Sequence, residues 1–249
     1  MAIHEVIKYS GAKDILERQY KENLNKNQSF YNLKVEGGGI IFFDWYFGFR
    51  GAFKAGNYSY PSVSPDITSD LGDYYIENNI VKCKRLGAKH RFMVVAEEDL
   101  GTSIKWDNSS SSTYSTSQAT STDFGTGKAN TTLLCNNIAN DLWATVKTAR
   151  EKEFTSVSDD SGLDTRWFIP SKDELYILDA MQYRDSNYRP SGMDGLSINY
   201  ESGTLDSTYW SSSQLASISN YAWCGSFDVG SMYYIGKNNT NYARLCRTF

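Results

Sequence analysis

Histidine is nearly missing from this chain: 249 residues hold two, His4 and His90, far apart in sequence. A Ser-His-Asp triad would have to use one of them, and neither sits in a supporting motif. Cysteine is scarce too. Cys83, Cys135, Cys224 and Cys246 form no Cys-x-x-Cys pair, so a zinc site would need a long-range assembly. Free, buried or half-buried thiols are the expectation, with a disulfide or metal as the alternative. No metal and no cofactor are expected. Cationic excess is absent as well: 25 Lys and Arg stand against 29 Asp and Glu, a net charge of −4. A general nucleic-acid binder needs a basic face to neutralise phosphates. The cluster Lys82, Lys84, Arg85, Lys89 and Arg91 reads instead as a solvated strand pair and turn. Long apolar runs are missing. The longest, residues 39–49, is interrupted by Asp44 and is too short to span a bilayer. The opening MAIHEVIKYSGAKD has no basic start followed by an apolar run. The expectation is synthesis in the cytoplasm without a signal peptide, which leaves later display on a virion open. Paired carboxylates for glycoside chemistry are represented only by Glu97-Glu98-Asp99, Asp159-Asp160 and Asp173-Glu174. Such sequence neighbours are ordinarily solvated loop or helix-start residues.

What the chain does have is aromatic side chains: 18 Tyr, 12 Phe and 6 Trp. They gather with Ser, Asn and Gly at the end, from Tyr209 in YWSSSQLASISNYAWCGSFDVGSMYYIGKNNTNYARLCRTF. Tyr and Trp give large contact area at low entropy cost, and Ser, Gly and Asn add adaptable hydrogen bonds. That mixture points to a binding surface. Ordinary Tyr-rich surface strands give the same composition with no ligand.

Residues 3–27 read as a polar helix, either a surface helix or a docking arm. Strand character marks 30–35, 39–49, 73–76, 80–84 and 90–96. Asn78-Asn79 between YYIE and IVKC predicts a tight hairpin. Residues 57–71, with Pro61 and Pro65, read as a loop. The Ser/Thr-dominated stretch 108–123 reads as a long exposed loop. One helix is expected over 128–152, where Ala129, Leu133, Ile138, Leu142 and Val146 recur at helical spacing beside Trp143. Pro170 ends a strand-like stretch, and Ser171 with Glu174 forms a capping box opening a second helix. Strands resume at Tyr209.

TRWFIPSKDELYIL (165–178) is similar to the Trp-Arg-Leu-Pro-Thr-x-x-Glu-Leu motif of bacterial lectin-like domains of the formylglycine-generating-enzyme type. STYWSSSQ (207–214) is similar to Tyr-Trp-Ser-Ser-Thr, AWCGSFDVG to an Ala-Trp-x-x-x-Phe-x-x-Gly hairpin, and ARLCR to a closing Val-Arg-Cys-Val-Arg strand. The order and spacing agree over 128–249, and RFMVVAEEDLGTSIKW extends the match to about Arg91. The resemblance implies an α+β chain with a C-type lectin-like fold: short twisted antiparallel strands, two helices and C-terminal hairpins. Residues 91–249 would form that domain, and 1–90 a strand-rich extension packed on it or merged with it. It also suggests pairing Cys135 with Cys246. Here, however, the closing-strand cysteine sits one place later, which would put it on the opposite face.

The same fold serves variable proteins of diversity-generating retroelements, in which template adenines are miscopied and the C-terminal codons rewritten. The resemblance implies a variable surface over about 219–242, built from Asn220, Tyr221, Cys224, Ser226, Asp228, Ser231, Tyr233, Tyr234, Gly236, Asn238, Asn239 and Asn241. Trp210, Trp223, Phe227, Gly230 and Arg244 would be its constant scaffold. Trp210 and Trp223 would anchor the hairpins in the core, and Tyr233, Tyr234 and Tyr242 would be exposed anchors. The implied function is non-catalytic binding of a protein or glycan on a host or neighbouring cell. The implied setting is a phage tail tip or cell surface, with a homo-oligomer or virion partner through the N-terminal region, and neither nucleic acid nor membrane insertion. The alternatives are an undiversified adhesin or carbohydrate-binding module and, more remotely, a formylglycine-type oxidase using Cys224 and Cys246. A calcium lectin would carry a Glu-Pro-Asn type of signature, which is absent.

Overall fold

A computed structural model describes residues 30, 33–44, 53–55, 58–60, 74–83, 91–107, 120–153, 167–182, 207–228 and 230–249. The predicted helix at 3–27 lies outside these residues, as does most of the Ser/Thr-rich loop. Residues 1–30 form one compact unit and 31–249 another; the description below concerns the second.

This unit is α+β. Six strands, β1 (Lys34–Val35), β2 (Ile40–Asp44), β5 (Tyr74–Glu77), β6 (Ile80–Cys83), β7 (Phe92–Val95) and β13 (Cys246–Thr248), form one sheet in the order β13-β7-β2-β1-β6-β5. Five more, β8 (Gly101–Lys105), β9 (Thr208–Gln214), β10 (Tyr221–Ser226), β11 (Ser231–Gly236) and β12 (Thr240–Ala243), form a second in the order β11-β10-β9-β12-β8. Before residue 91, β1, β2, β5 and β6 thus share a sheet with β7 and with the last strand of the chain. Most pairs are antiparallel as expected, but β1–β6 and β9–β12 are parallel. The remaining two strands, β3 (Phe53–Ala55) and β4 (Tyr58–Tyr60), pair with each other, so part of the segment read as a loop is a strand.

The Asn78-Asn79 hairpin forms as expected. Both residues have positive φ, 53° and 62°, the condition for a two-residue turn matching strand twist. In the turn between β1 and β2, Gly37 has φ 78°. Arg247 donates from Nη2 to the carbonyls of Glu36 and Gly38 at 2.7 and 2.8 Å, tying this turn to the C-terminal strand.

The single helix expected over 128–152 is two: α1 (Gly127–Asn137) and α2 (Asp141–Glu153). Ile138 is extended (φ −122°, ψ 118°) and caps α1 through its N–H to the Leu134 carbonyl. The apolar periodicity also misjudged the buried face. Ala129 is exposed, whereas the inward side of α1 is Gly127, Asn130, Thr131, Leu134 and Cys135. Polar residues occupy it because their partners are backbone groups. Thr131 Oγ1 donates to the Ile169 carbonyl and accepts from the Ile169 N–H, and Asn130 Nδ2 donates to the Ser121 carbonyl.

The capping box at α3 (Lys172–Gln182) is present: Ser171 N–H donates to Glu174 Oε2 at 2.6 Å, and Glu174 N–H to Ser171 Oγ at 3.3 Å. Glu174 does more. Its Oε1 accepts from the N–H groups of Gly125 and Gly127 at 3.0 and 3.4 Å, so one buried carboxylate serves the starts of both α1 and α3. Burial pushes Glu174 up to about 7, against the downward pull of these donors.

The core has two parts. One gathers Ile40, Phe42, Phe43, Met93 and Val95 of the first sheet, Leu175 to Leu178 of α3, and Tyr209, Phe227, Met232 and Cys246. The other gathers Trp106, Leu134, Cys135, Trp143, Ile169, Trp210, Ala222, Cys224 and Leu245 around α1 and α2. Cys135 and Cys246 fall into different parts, and all four cysteines are free. The one-place shift in ARLCR therefore has the consequence that strand alternation assigns to it, and the suggested disulfide is not formed.

Candidate functional site

The β10–β11 hairpin pairs Tyr221 with Gly236, Trp223 with Tyr234, Cys224 with Tyr233 and Ser226 with Ser231. Directly opposed residues share a face, and successive residues alternate faces. Tyr221, Trp223 and Tyr234 therefore stand on one face, and Cys224, Ser226, Ser231 and Tyr233 on the other. β11 is the outer strand, so both of its faces reach the surface. Tyr233 is 36 % exposed and Tyr234 46 %. These two anchors point in opposite directions and cannot meet one flat ligand together.

The first face is an aromatic patch. The Tyr234 ring lies 5.3 Å from Trp223 and 5.9 Å from Tyr221, both edge-on. Beneath it, Lys172 Nζ lies 4.8 Å from the ring centres of both Trp223 and Tyr176. Such cation–π contacts hold a ring in place. Trp223 is half-buried, a platform between Lys172 and Tyr234 and not the core anchor expected. Lys172 was invisible to tail composition, because it comes from α3. On the second face Tyr233 OH lies 3.2 Å from Thr208 Oγ1, and partial burial raises its phenol above the usual range.

One end of this hairpin carries two neighbouring turns. Residues 215–220 link β9 to β10, and residues 237–239 lead from β11 to β12; Lys237 N–H donates to the Asn220 carbonyl at 2.9 Å. Asn220, Asn238 and Asn239 are exposed here as expected. So is Ile218 at 42 %, one residue outside the predicted region. At the opposite end Asp228 is exposed and accepts from Ser226 Oγ, while Ser231 and Gly230 are half-buried; Gly236, paired with Tyr221 at the first end, is half-buried as well. Between Thr208 and Phe249, Asp228 is the only acidic residue.

Three expected surface residues are corrected. Cys224 is fully buried opposite Trp210; its Sγ donates to the Tyr233 carbonyl at 3.6 Å, and burial pushes the thiol up to about 12. Ser226 is 9 % exposed, with its Oγ bonded to Asp228. Asn241 is 9 % exposed because β12 crosses to lie between β9 and β8. Tyr242 is half-buried against Tyr209, 5.5 Å between ring centres.

The scaffold residues are otherwise inside. Trp210 is fully buried and donates from Nε1 to the Ile104 carbonyl at 2.8 Å. Phe227 is 4 % exposed and packs on Tyr209. Arg244 is equally buried; its Nε donates to Asp99 Oδ1 at 2.7 Å and its Nη1 to the carbonyls of Ala96 and Glu97. The three serines of β9 are likewise structural. Ser211 Oγ donates to the Trp223 carbonyl, Ser212 Oγ to that of Pro170, and Ser213 Oγ to that of Ser121. Among the described residues no group of three or more His, Cys, Asp or Glu is placed to hold a metal, and no helix is long and apolar enough to cross a membrane. The sequence matches no protein-family model and no curated protein.

Proposed function

We propose that this chain is a non-catalytic ligand-binding protein with a C-type lectin-like fold, and that a retroelement diversifies its exposed C-terminal surface. One observation carries this reading: exposed and buried residues are sorted along the tail. Asn220, Asp228, Tyr233, Tyr234, Asn238 and Asn239 are exposed, while Trp210, Phe227 and Arg244 are buried and bonded. Side chains of the first group can change without removing core volume, whereas the second group fixes the backbone that presents them. The aromatic patch with its amide-bearing turns suits a protein or glycan ligand on another cell or particle. Thiol oxidation fits poorly, because burial raises both Cys224 and Cys246 thiols away from the reactive thiolate.

The test is the DNA next to the gene. The expected finding is a near-copy of the segment encoding 219–241, beside a reverse-transcriptase gene. It should differ at adenines in the codons for exposed residues such as Tyr234 and Asn238, and agree at Cys224 and Phe227. A neighbourhood with neither element overturns diversification. Variation spread evenly over buried and exposed codons overturns the division of the surface.

A further inference from the structure

Lys237 and Gln214 take no part in the proposed surface, yet they are buried and bonded to each other. Lys237 is 2 % exposed and Gln214 6 %. Lys237 Nζ donates to Gln214 Oε1 at 2.8 Å and lies 4.3 Å from the centre of the buried Trp106 ring. The backbone fixes both partners. The Lys237 carbonyl accepts from the N–H groups of Trp106 and Asp107 at 3.0 and 3.1 Å, and Gln214 N–H donates to Thr120 Oγ1 at 2.8 Å. Asp107, 4 % exposed, acts electrostatically on the lysine.

An ordinary lysine is a poor nucleophile at neutral pH because it is protonated. Removal from water lowers Lys237 to about 8, so the neutral amine is far more populated than usual. The amine and the carboxamide need not find each other, which removes most of the entropic barrier to their reaction. Trp106 and the surrounding core keep out competing water.

We propose that Lys237 and Gln214 form an intramolecular isopeptide bond in the folded protein. The neutral Nζ attacks Gln214 Cδ, forming a C–N bond as the carbonyl electron pair moves to oxygen. The added nitrogen sheds a proton, and the original amide nitrogen takes one up. The carbonyl reforms, the old C–N bond breaks, and that nitrogen leaves as ammonia. No oxidant or further reactant is required. The product joins the end of β9 to the turn after β11, locking the base of the exposed tip whether or not the tail is diversified.

Intact-mass measurement of the full-length protein tests this, with tryptic mapping to place the change. The expected mass is one ammonia below the sequence value, allowing for removal of Met1. Mapping should find no cleavage after Lys237 and one branched peptide joining it to Gln214. In Lys237→Arg the full mass returns. Wild-type protein that keeps the full sequence mass after prolonged incubation at pH 8 overturns the proposal, leaving a plain hydrogen bond. So does a missing ammonia that maps elsewhere, for example to an asparagine. If the Arg variant fails to fold, the wild-type peptide map still decides.

Discussion

Placing alanine at Gly127 tests the junction on which the site rests. An added Cβ would collide with Glu174 Oε2 and lie 2.8 Å from the Ser171 nitrogen and 2.9 Å from the Ile169 carbonyl oxygen. Two of those contacts are backbone and cannot swing aside. Glu174 could move only by giving up bonds from Ser171, Gly125 and Gly127. Losing one or two hydrogen bonds to a buried carboxylate costs about 1.5–3 kcal/mol each. Helix propensity returns at most about 1 kcal/mol on replacing Gly with Ala. The net expectation is a loss of about 2–4 kcal/mol, or a fall in Tm of roughly 5–15 °C for a domain of this size. Urea denaturation with an unchanged m value measures it. A cycle with Glu174→Ala should be non-additive, because the double variant lacks the carboxylate clash but keeps the backbone one. A Gly127→Ala protein as stable as wild type, or strict additivity in the cycle, refutes the reasoning. Binding should suffer with stability, since Lys172, under the Trp223 ring, is the first residue of the helix that this junction caps.

Glu174 also predicts a pH dependence. Its folded value of about 7 is above the ordinary 4.5, so between these the folded state holds more protons than the unfolded one. Stability from this group is fully present below pH 4.5 and lost as pH rises through 7; Glu174→Gln should flatten that fall in thermal melts. Asp44→Ala removes the carboxylate to which the buried Arg91 guanidinium donates from Nε and Nη2 at 2.9 and 2.5 Å, and should cost about 3–5 kcal/mol in chemical denaturation. Tyr234→Ser should leave Tm within a few degrees of wild type but abolish ligand capture, whereas Cys224→Tyr should overpack the core and cost about 1–3 kcal/mol. Thiol titration should find four reactive groups in denaturant and only Cys83 reacting quickly in the native protein. Fewer than four in denaturant would restore a disulfide.

Local signals carried a good part of the fold. Positive φ at Asn78 and Asn79 and the Ser171–Glu174 box follow from side-chain chemistry acting over two to four residues, so the sequence alone determined them. The strands Tyr74–Glu77, Ile80–Cys83 and Phe92–Val95 and the β-rich tail were likewise legible, because alternation and turn residues act locally. Tertiary structure decided the rest. The break at Ile138 was hidden because an apolar repeat ran across it, and the buried polar face of α1 was hidden because its partners, Ser121 and Ile169, are distant in sequence. The tail's composition indicated a binding surface but not which residues form it. Strand order, with β12 between β9 and β8, buried Asn241; pairing register put Tyr233 and Tyr234 on opposite faces; α3 supplied Lys172 beneath Trp223. Composition assigns a residue's chemistry, but only long-range pairing assigns its side of the sheet, and on an outer strand that decides whether it meets a ligand or the core.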